Sequence, residues 1–371
     1  MAIAKLGDLH IGSRQGSQFL RDFIKSYLID YFIPEIVEND IKTVFQFGDF
    51  FDVRKFLYGA DKDWIEYELV PVLRTHGIHW IGLVGNHDIT LAESNRLNWP
   101  SWLNSLAPDV FTYYSETQEI ILEGKKVLVL PWINKENYAR SVEAIQATDA
   151  EYCFAHLELA GFKMYQSSVC DHGQIDPALL SKFKRVDTGH FHTRSFEDNI
   201  QYLGTPYHLT WEDYKDGDNR GFFIDDLTDG GELFIKNDKN QTLFRVIEYA
   251  FDKMGADVID KWKDPAWLQD ELGLKGQIIK IVVNNRDNLK HYEAFCDAMK
   301  RVQCIDYNYI DNTVTVAGEK VTITEEMITT DAIEIFKADI NASQNIQRKD
   351  RVCKLAEFFY TSAQNKISVG S

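Results

Sequence analysis

The sequence is poor in positive charge, and its cysteines lack the spacing of a disulfide or thiolate framework. It has 40 lysines and arginines against 57 aspartates and glutamates, which gives a formal net charge of −17. This excess of acid argues against an extended basic surface for nucleic acid, but it permits a local basic strip or metal ions at one site. The five cysteines form no CxxC pair. A disulfide framework and a cysteine-based zinc site are therefore disfavoured, and reduced core thiols are expected.

Long apolar runs are also missing. The N-terminal sequence MAIAKLGDLHIG has neither a charged leader nor a long apolar stretch, so we expect no signal peptide and no membrane partner. The expected compartment is the cytoplasm. The chain has 371 residues, 44% of them hydrophobic, which is enough for two domains or for one large domain with appendages.

Short apolar runs alternate with longer amphipathic runs in the first half of the chain. Such strand–helix–strand repeats predict an α/β fold. A strand-rich block continues to about residue 250, so we predict an α+β sandwich of two sheets with helices outside over residues 1–250. We expect a small α+β unit over 251–320 and two helices over 321–371. The first predicted elements are the strand Ile3–Leu9, the helix Phe19–Val37, the strand Thr43–Phe47, the helix Asp63–Thr75 and the strand Ile78–Val84.

Acidic motifs follow the first two predicted strands. The motif DLH contributes Asp8 and His10, and the motif GDFFD contributes Asp49 and Asp52. Residues i and i+2 of an extended segment point to the same side, so Asp8 and His10 face one point beyond the edge of the sheet, where α/β enzymes place their sites. Alone, each motif also fits polar loop residues or a helix-capping aspartate.

The tetrapeptide GNHD follows the third predicted strand and is more specific. It contains Asn86, His87 and Asp88, of which Asn86 can offer an amide oxygen to a hard cation and His87 an imidazole. The preceding glycine lets the backbone turn sharply beside a ligand. A plain turn could also contain these residues, but rarely at a third equivalent strand end.

Three further histidines lie at the ends of later strands. His156 ends a predicted strand, and taken alone it is more often structural than a ligand. The motif GHFH places His190 and His192 two residues apart, so both imidazoles would lie on one side of an extended backbone. Neutral imidazoles are common ligands of transition metals.

Together the motifs run DxH, GDxxD, GNHD, H and GHxH, each after a predicted strand. Two divalent ions can clamp the attacking and leaving oxygens of a phosphoryl transfer, and such a site needs a bridging carboxylate with nitrogen and oxygen ligands on both sides. The series therefore predicts a two-metal phosphoesterase. The lack of thiolates among these residues favours manganese or a similar ion, with magnesium as the alternative, over structural zinc.

This motif order resembles that of the calcineurin-like metallophosphoesterases, and within them the SbcD/Mre-type DNA repair nucleases. The segment YLGTP, beginning at Tyr202, is similar to the Y-x-G-[ST]-x element of that branch. The length of the chain and the segment FAHLELAGFKMYQ are most similar to the recombination endonuclease subunits of tailed bacteriophages. The motifs cover residues 1–250, and the remainder matches only by position, as a capping domain. If the chain is phage-encoded, the compartment is the cytoplasm of the host cell.

The resemblance implies two ligand sets that share Asp49. His87 would be the catalytic histidine that donates to or stabilises the leaving oxygen, and Asp88 would orient His87 through a hydrogen bond. Asp52 lies where many archaeal relatives carry a histidine, so its role among the catalytic candidates is open. One ion would be held by Asp8, His10, Asp49 and His192, and the other by Asp49, Asn86, His156 and His190.

The resemblance also implies an activity and partners. It suggests a manganese-dependent nuclease that trims duplex DNA ends as an exonuclease and cuts single strands as an endonuclease, in recombination, replication and double-strand-break repair. It implies a homodimer and an SbcC-like ATPase of the SMC type. A C-terminal apolar stripe around Leu355 and Phe359 is either a docking helix for that ATPase or a helix packed on its own domain.

DNA contacts and the substrate class stay open at this point. Arg14, Arg54 and Lys55 follow ligand motifs directly, so they could reach phosphates beside the metals or could simply be solvated. A calcineurin-like metallophosphatase acting on small-molecule or protein phosphoesters is the main alternative, and a non-enzymatic interaction module is the third. The cap, the YLGTP segment and the helical tail favour the nuclease, while the acidic charge favours the phosphatase.

Overall fold

The computed structural model describes residues 2–165, 168–217, 219–228, 230–238 and 242–313, the backbone of 315–316 and 319–320, and Lys349 and Val352. The described residues form two compact units. The first unit extends to Phe244 and takes in Gly276–Ile278, and the second contains the other described residues from Arg245 onward. The first unit has a mixed α/β architecture, as predicted.

The first sheet of this unit has six strands. Its order is β12-β11-β1-β2-β3-β4, in which β1 to β4 are parallel neighbours and β11 and β12 run antiparallel at one edge. The strands are β1 (Ala2–Leu6), β2 (Thr43–Gln46), β3 (His79–Leu83), β4 (Phe111–Tyr114), β11 (Gly221–Asp226) and β12 (Gly231–Lys236).

The second sheet also has six strands, in the order β9-β10-β8-β7-β6-β5. The four central strands β10, β8, β7 and β6 are parallel, and the two edge strands are antiparallel to their neighbours. The strands are β5 (Gln118–Leu122), β6 (Lys125–Leu130), β7 (Tyr152–His156), β8 (Arg185–Gly189), β9 (Ser195–Glu197) and β10 (Ile200–Tyr202).

The two sheets pack face to face through alternate residues of their strands. In β7, Phe154 contacts the first sheet's Phe45 and Tyr152 belongs to the same apolar cluster, while Cys153 and Ala155 belong to a second cluster on the outer face. A strand buried on both faces explains why β7 carries no alternation between polar and apolar residues. This packing produces the sandwich that the sequence predicts.

Helices cover the sheets. One long helical segment is regular over Gln18–Ser26 and Ile33–Glu38, with wider turns over Tyr27–Phe32 between them. A second comprises Gly59–Trp64, Ile65–Leu69 and Val70–His76. Further α-helices among the described residues of the first unit are Ser13–Gly16, Pro100–Leu106, Tyr138–Ala147 and Trp211–Lys215. Short hairpins are formed by Ile89–Leu91 with Ser94–Asn98 and by Lys163–Tyr165 with Ser168–Val169.

The second unit has a three-stranded sheet in the order β13 (Phe244–Ala250), β14 (Ile278–Asn285) and β15 (Asp306–Asp311). The helix Leu289–Met299 packs its buried residues into the same apolar cluster as the sheet. This α+β unit lies within the predicted span 251–320, apart from β13. The predicted helices over 321–371, with the stripe around Leu355 and Phe359, lie outside the described residues.

Two further sequence expectations concern the cysteines and membrane-spanning helices. Four cysteines are free thiols, and Cys353 lies outside the described residues. Among the described helices, none combines the length and apolar character that crossing a bilayer requires.

Candidate metal centre

The predicted ligands meet where parallel strands of both sheets end. Asp8 and His10 follow β1, Asp49 follows β2, and Asn86 follows β3. His156 is the last residue of β7, and the GHFH motif begins at the last residue of β8. Carboxyl ends of parallel strands lie at one edge of a sheet, so the fold brings residues from distant parts of the chain together there.

The first group of side chains contains Asp8, His10 and His192, whose donor atoms lie within 4.8 Å of one another. The His10 Nε2 atom lies 3.2 Å from the His192 Nε2 atom. The Asp49 Oδ2 atom lies 3.7 Å from His10 Nε2. With Asp49, this group contains the four residues that the family resemblance assigns to the first ion.

The second group contains Asp49, His156 and His190, again within 4.8 Å. Asp49 Oδ2 lies 3.4 Å from His156 Nε2. The Asn86 Oδ1 atom lies 3.0 Å from His156 Nε2 and 2.9 Å from His190 Nδ1. The same oxygen of Asp49 therefore lies near nitrogens of both groups, which is the position that a bridging ligand requires.

The outer ring nitrogens of the four histidines show which nitrogen carries the proton. Each outer nitrogen faces an atom that can only accept, so in the neutral ring it donates a proton and the inner nitrogen presents a lone pair. The inner nitrogens of His10 and His192 thus point lone pairs at each other, and a cation between them satisfies both. The outer contacts are His10 Nδ1 with Asp52 Oδ1 at 3.0 Å, His192 Nδ1 with Asp213 Oδ2 at 3.3 Å, His156 Nδ1 with Phe47 O at 2.7 Å, and His190 Nε2 with Glu158 Oε2 at 3.1 Å.

The buried carboxylates give the site an electrostatic reason to take up cations. Burial, reinforced by the charge of Asp49, raises the pKa of Asp8 to about 7. The pKa of Asp88 is raised to about 8 by burial and by the same charge. Burial opposes ionisation of Asp49 as well, yet the charge of His156 and its hydrogen bond hold the pKa of Asp49 well below its ordinary value. Positive ions beside Asp49 would offset this crowding of acids.

The side-chain amide of Asn86 can take two orientations. With its oxygen turned inward, it faces two ring nitrogens while its nitrogen lies 3.1 Å from the Arg54 Nη2 atom. Turned over, the amide would donate inward and accept from Arg54, which satisfies both ends of the amide without an ion. The inward oxygen is the orientation that a hard cation requires.

Unusual backbone conformations hold three of these side chains. His10, Asp49 and His190 have φ angles of 50°, 51° and 89°. Left-handed conformations are uncommon for residues other than glycine and concentrate at functional sites. Gly85 lets the third strand end approach Asp49 closely, since a Cβ atom at Gly85 would lie 2.2 Å from Asp49 Oδ1.

His87 and Asp52 lie beside the two groups. His87 lines a cleft of about 470 Å³ together with His10, Asp49 and His192. The His87 Nδ1 atom donates to the Asp52 backbone carbonyl at 2.9 Å. Asp52 thus holds His87 through its backbone and His10 through its side chain, which gives this residue a positioning role at the site.

Asp88 corrects a prediction. Its carboxylate does not orient His87 in the described structure but accepts hydrogen bonds from the backbone N–H groups of Gly85 at 2.9 Å, Phe51 at 2.9 Å and Phe50 at 3.4 Å. The expected bond from Asp88 to His87 was wrong because Asp88 points into the protein, where it is fully buried. It joins the loops after β2 and β3, and so supports Asp49 between them.

The three basic residues suggested for DNA contact differ in position. Arg14 lines the cleft, where its guanidinium also lies 5.6 Å from the centre of the Phe244 ring. Arg54 is exposed and reaches Asn86, while Lys55 is exposed beside it. Contact with DNA stays a prediction for all three.

Sequence reasoning missed two acids that contact the histidines from outside. Asp213 is fully buried, and it also accepts from the backbone N–H groups of Leu209 and Thr210. Glu158 lies two residues after His156, so an HxE spacing at the strand end was its signal. Asp213 gave no comparable signal, since it is distant in sequence from His192.

Comparison with known proteins gives one decisive match. No known family profile matches the chain. Exonuclease subunit 1 of Enterobacteria phage T4 is 35% identical over 251 residues, which covers 68% of this chain and 71% of that protein. This chain belongs to the family of that subunit. The relative confirms the predicted resemblance to a phage recombination nuclease subunit.

Proposed function

We propose that this protein is a metal-dependent DNA nuclease with a binuclear centre. One observation carries the proposal: Asp49 Oδ2 lies 3.7 Å from a nitrogen of one group of side chains and 3.4 Å from a nitrogen of the other. Two groups that share one carboxylate fit two cations held side by side. This arrangement supports a phosphoester reaction, and the family supports DNA as the substrate.

The donor set contains carboxylates, imidazoles and one amide oxygen, which suits manganese, with magnesium as the alternative. When bound, two such ions supply a water of lowered pKa and positive charge for the phosphate oxygens. The residues Asp8, His10, Asp49 and His192 would hold one ion, and Asp49, Asn86, His156 and His190 the other.

The residues around the ions have separate tasks. His87 faces the cleft with one ring nitrogen fixed by the Asp52 carbonyl, so its other nitrogen is available to a leaving oxygen of the substrate. Asp52 orients His10 and His87. Arg14 and Arg54, with Lys55 beside them, are the cations that could bind phosphates flanking the scissile bond.

Finer features of the proposal have support from the family resemblance alone. They are exonuclease activity on duplex ends, endonuclease activity on single strands, and a role in recombination and double-strand-break processing. The T4 relative is named as a subunit, which supports a partner, and the resemblance suggests an SbcC-like SMC-type ATPase. A homodimer is part of the same proposal.

The decisive experiment compares substrates in the presence of manganese. We expect cleavage of linear duplex and single-stranded DNA, and of the small diester bis-p-nitrophenyl phosphate, with loss of all three activities after chelation. An Asp49→Asn variant serves as the inactive control. Turnover of p-nitrophenyl phosphate without cleavage of DNA would instead support the metallophosphatase and reject the nuclease.

A further inference from the structure

His190 differs from His156 and His192 in what holds its outer ring nitrogen. His156 is held by a backbone carbonyl inside the sandwich, and His192 by the fully buried Asp213. His190 is held by Glu158, a half-buried side chain that continues to the protein surface.

A short surface segment holds Glu158 from outside. The Glu158 Oε1 atom lies 2.9 Å from the His172 Nε2 atom. The backbone of Glu158 also forms two hydrogen bonds with Gln174, one to the side-chain oxygen and one from the backbone N–H, both at 2.9 Å. The remaining ring nitrogen of His172 lies 2.8 Å from Asp171 Oδ1. A continuous series of contacts therefore runs from His190 to the exposed Asp171.

We infer that Glu158 is a positioning residue for His190 and that His172 holds Glu158 in place. By accepting from Nε2–H, the Glu158 carboxylate fixes the ring tautomer in which Nδ1 presents its lone pair toward Asn86 and Asp49. If Glu158 were removed, the proton could move to Nδ1 and the ring could rotate. Both changes weaken a ligand of the second ion and leave the first ion's ligands untouched.

A third metal ion is the competing explanation of the same side chains. Donor atoms of Glu158, Cys170 and His172 also lie within 4.8 Å of one another. Each of these atoms already has a partner, however, because both His172 nitrogens face carboxylates and the Cys170 thiol donates to the His172 carbonyl at 3.0 Å. The trio therefore needs no cation, in contrast to the facing nitrogens of His10 and His192.

The test measures manganese binding by isothermal titration calorimetry on the full-length protein. The inference rests on the proposed binuclear centre, so the wild type must bind two ions. We expect Glu158→Leu to weaken one of the two sites by about 10- to 100-fold and to leave the other unchanged. Glu158→Gln should retain much of the affinity, because its amide oxygen can still accept from His190. His172→Ala should give a smaller loss at the same site.

The matched control is Glu136→Gln, which changes an exposed glutamate distant in sequence from the site. A wild type that binds fewer than two ions would reject the proposed function itself. Two intact sites in Glu158→Leu would reject the positioning role alone.

Cobalt(II) binding tests the third-ion explanation. A cobalt ion held by Glu158, Cys170 and His172 would give a near-ultraviolet absorption band from the thiolate, and this band would disappear in Cys170→Ser. Such a result would overturn the inference.

Discussion

At the scale of single residues, His87 is the side chain of the cleft whose proposed role is separable from metal binding. It lies outside both groups of four ligands and donates its Nδ1 proton to a carbonyl. We expect His87→Ala to lower DNA cleavage by about 100- to 10,000-fold, the usual contribution of a general acid, while manganese and DNA binding persist. Cleavage rates, calorimetry and a filter-binding assay measure the three quantities, with the exposed His76→Ala as control. Unchanged cleavage would refute the role of His87.

We expect Asp88 to contribute more to the stability of the fold than to catalysis. Its carboxylate accepts from three buried backbone N–H groups, and alanine would leave all three without a partner. We expect Asp88→Ala to lower the free energy of unfolding by about 2–4 kcal/mol, since each orphaned buried group costs on the order of 1–3 kcal/mol. Urea denaturation of the metal-free protein measures it. The exposed Asp63→Ala should unfold like the wild type, and equal behaviour of the two variants would contradict this account.

The positions of the site residues were predictable where the pattern is local. Short motifs at strand ends identified all seven side chains that the fold brings into the two groups, because the ligand types and strand ends are visible in sequence. The partners of these side chains were not visible. Asp213 lies 3.3 Å from His192 only after the chain has folded, and Asp88 points inward for reasons of burial that the motif does not express.

At the scale of elements, the loops after β2 and β3 approach so closely that a methyl group at Gly85 does not fit between them. A Cβ atom at Gly85 would lie 2.2 Å from Asp49 Oδ1 and 2.4 Å from the Asp49 backbone nitrogen. We expect Gly85→Ala to displace Asp49, to destabilise the protein by about 1–3 kcal/mol and to weaken both metal sites. Calorimetry with manganese tests this. Gly59→Ala is the matched control, because a Cβ atom at Gly59 meets nothing within 4 Å, and equal metal binding by the two variants would disprove the close-approach argument.

A buried ion cluster joins the two sheets. Lys5 of β1 lies 2.9 Å from Asp187 of β8 and 3.1 Å from Asp225 of β11, and all three side chains are fully buried. Arg185 also contacts both carboxylates, so removing the lysine leaves them with one cation in place of two. Lys5→Met should therefore cost about 3 kcal/mol in unfolding free energy, the lower end of the range for breaking a buried ion pair. The more exposed pair of Lys25 with Glu68 gives the comparison, and Lys25→Met should cost about 0–1 kcal/mol. Similar losses in chemical denaturation would show that burial does not matter here.

Elements were predictable to within a few residues where their period is clear. The predicted strand Thr43–Phe47 is observed as Thr43–Gln46, and the predicted helix Phe19–Val37 covers the long first helical segment. The wider turns over Tyr27–Phe32 were not predicted, since a 3.6-residue pattern does not distinguish them from a regular helix. The helix Pro100–Leu106 was also missed, because it is short and its apolar stripe is weak.

At the scale of the whole molecule, the negative net charge of the chain and the acidic candidate centre both repel a DNA phosphate unless cations are bound. The chain carries a formal net charge of −17, and the folded first unit buries Asp8, Asp49 and Asp88 at a single edge. An acidic protein that binds DNA needs local positive charge, and two divalent ions would provide it where the substrate phosphate must lie. The charge that favours a phosphatase in the sequence is therefore compatible with a nuclease whose cations are bound.

Metal ions bound at the candidate centre should also increase the stability of the folded protein. Ions that bind the folded chain and not the unfolded chain stabilise it by mass action, by about 2.7 kcal/mol per site when the free ion is at a hundredfold excess over its dissociation constant. We expect manganese to raise the melting temperature and excess chelator to reverse the rise, as followed by differential scanning calorimetry. Asp49→Asn should lose the response, because Asp49 contributes to both groups, whereas His87→Ala should keep it. A full response in Asp49→Asn would place the stabilising ions elsewhere in the molecule and would show that Asp49 is not their shared ligand.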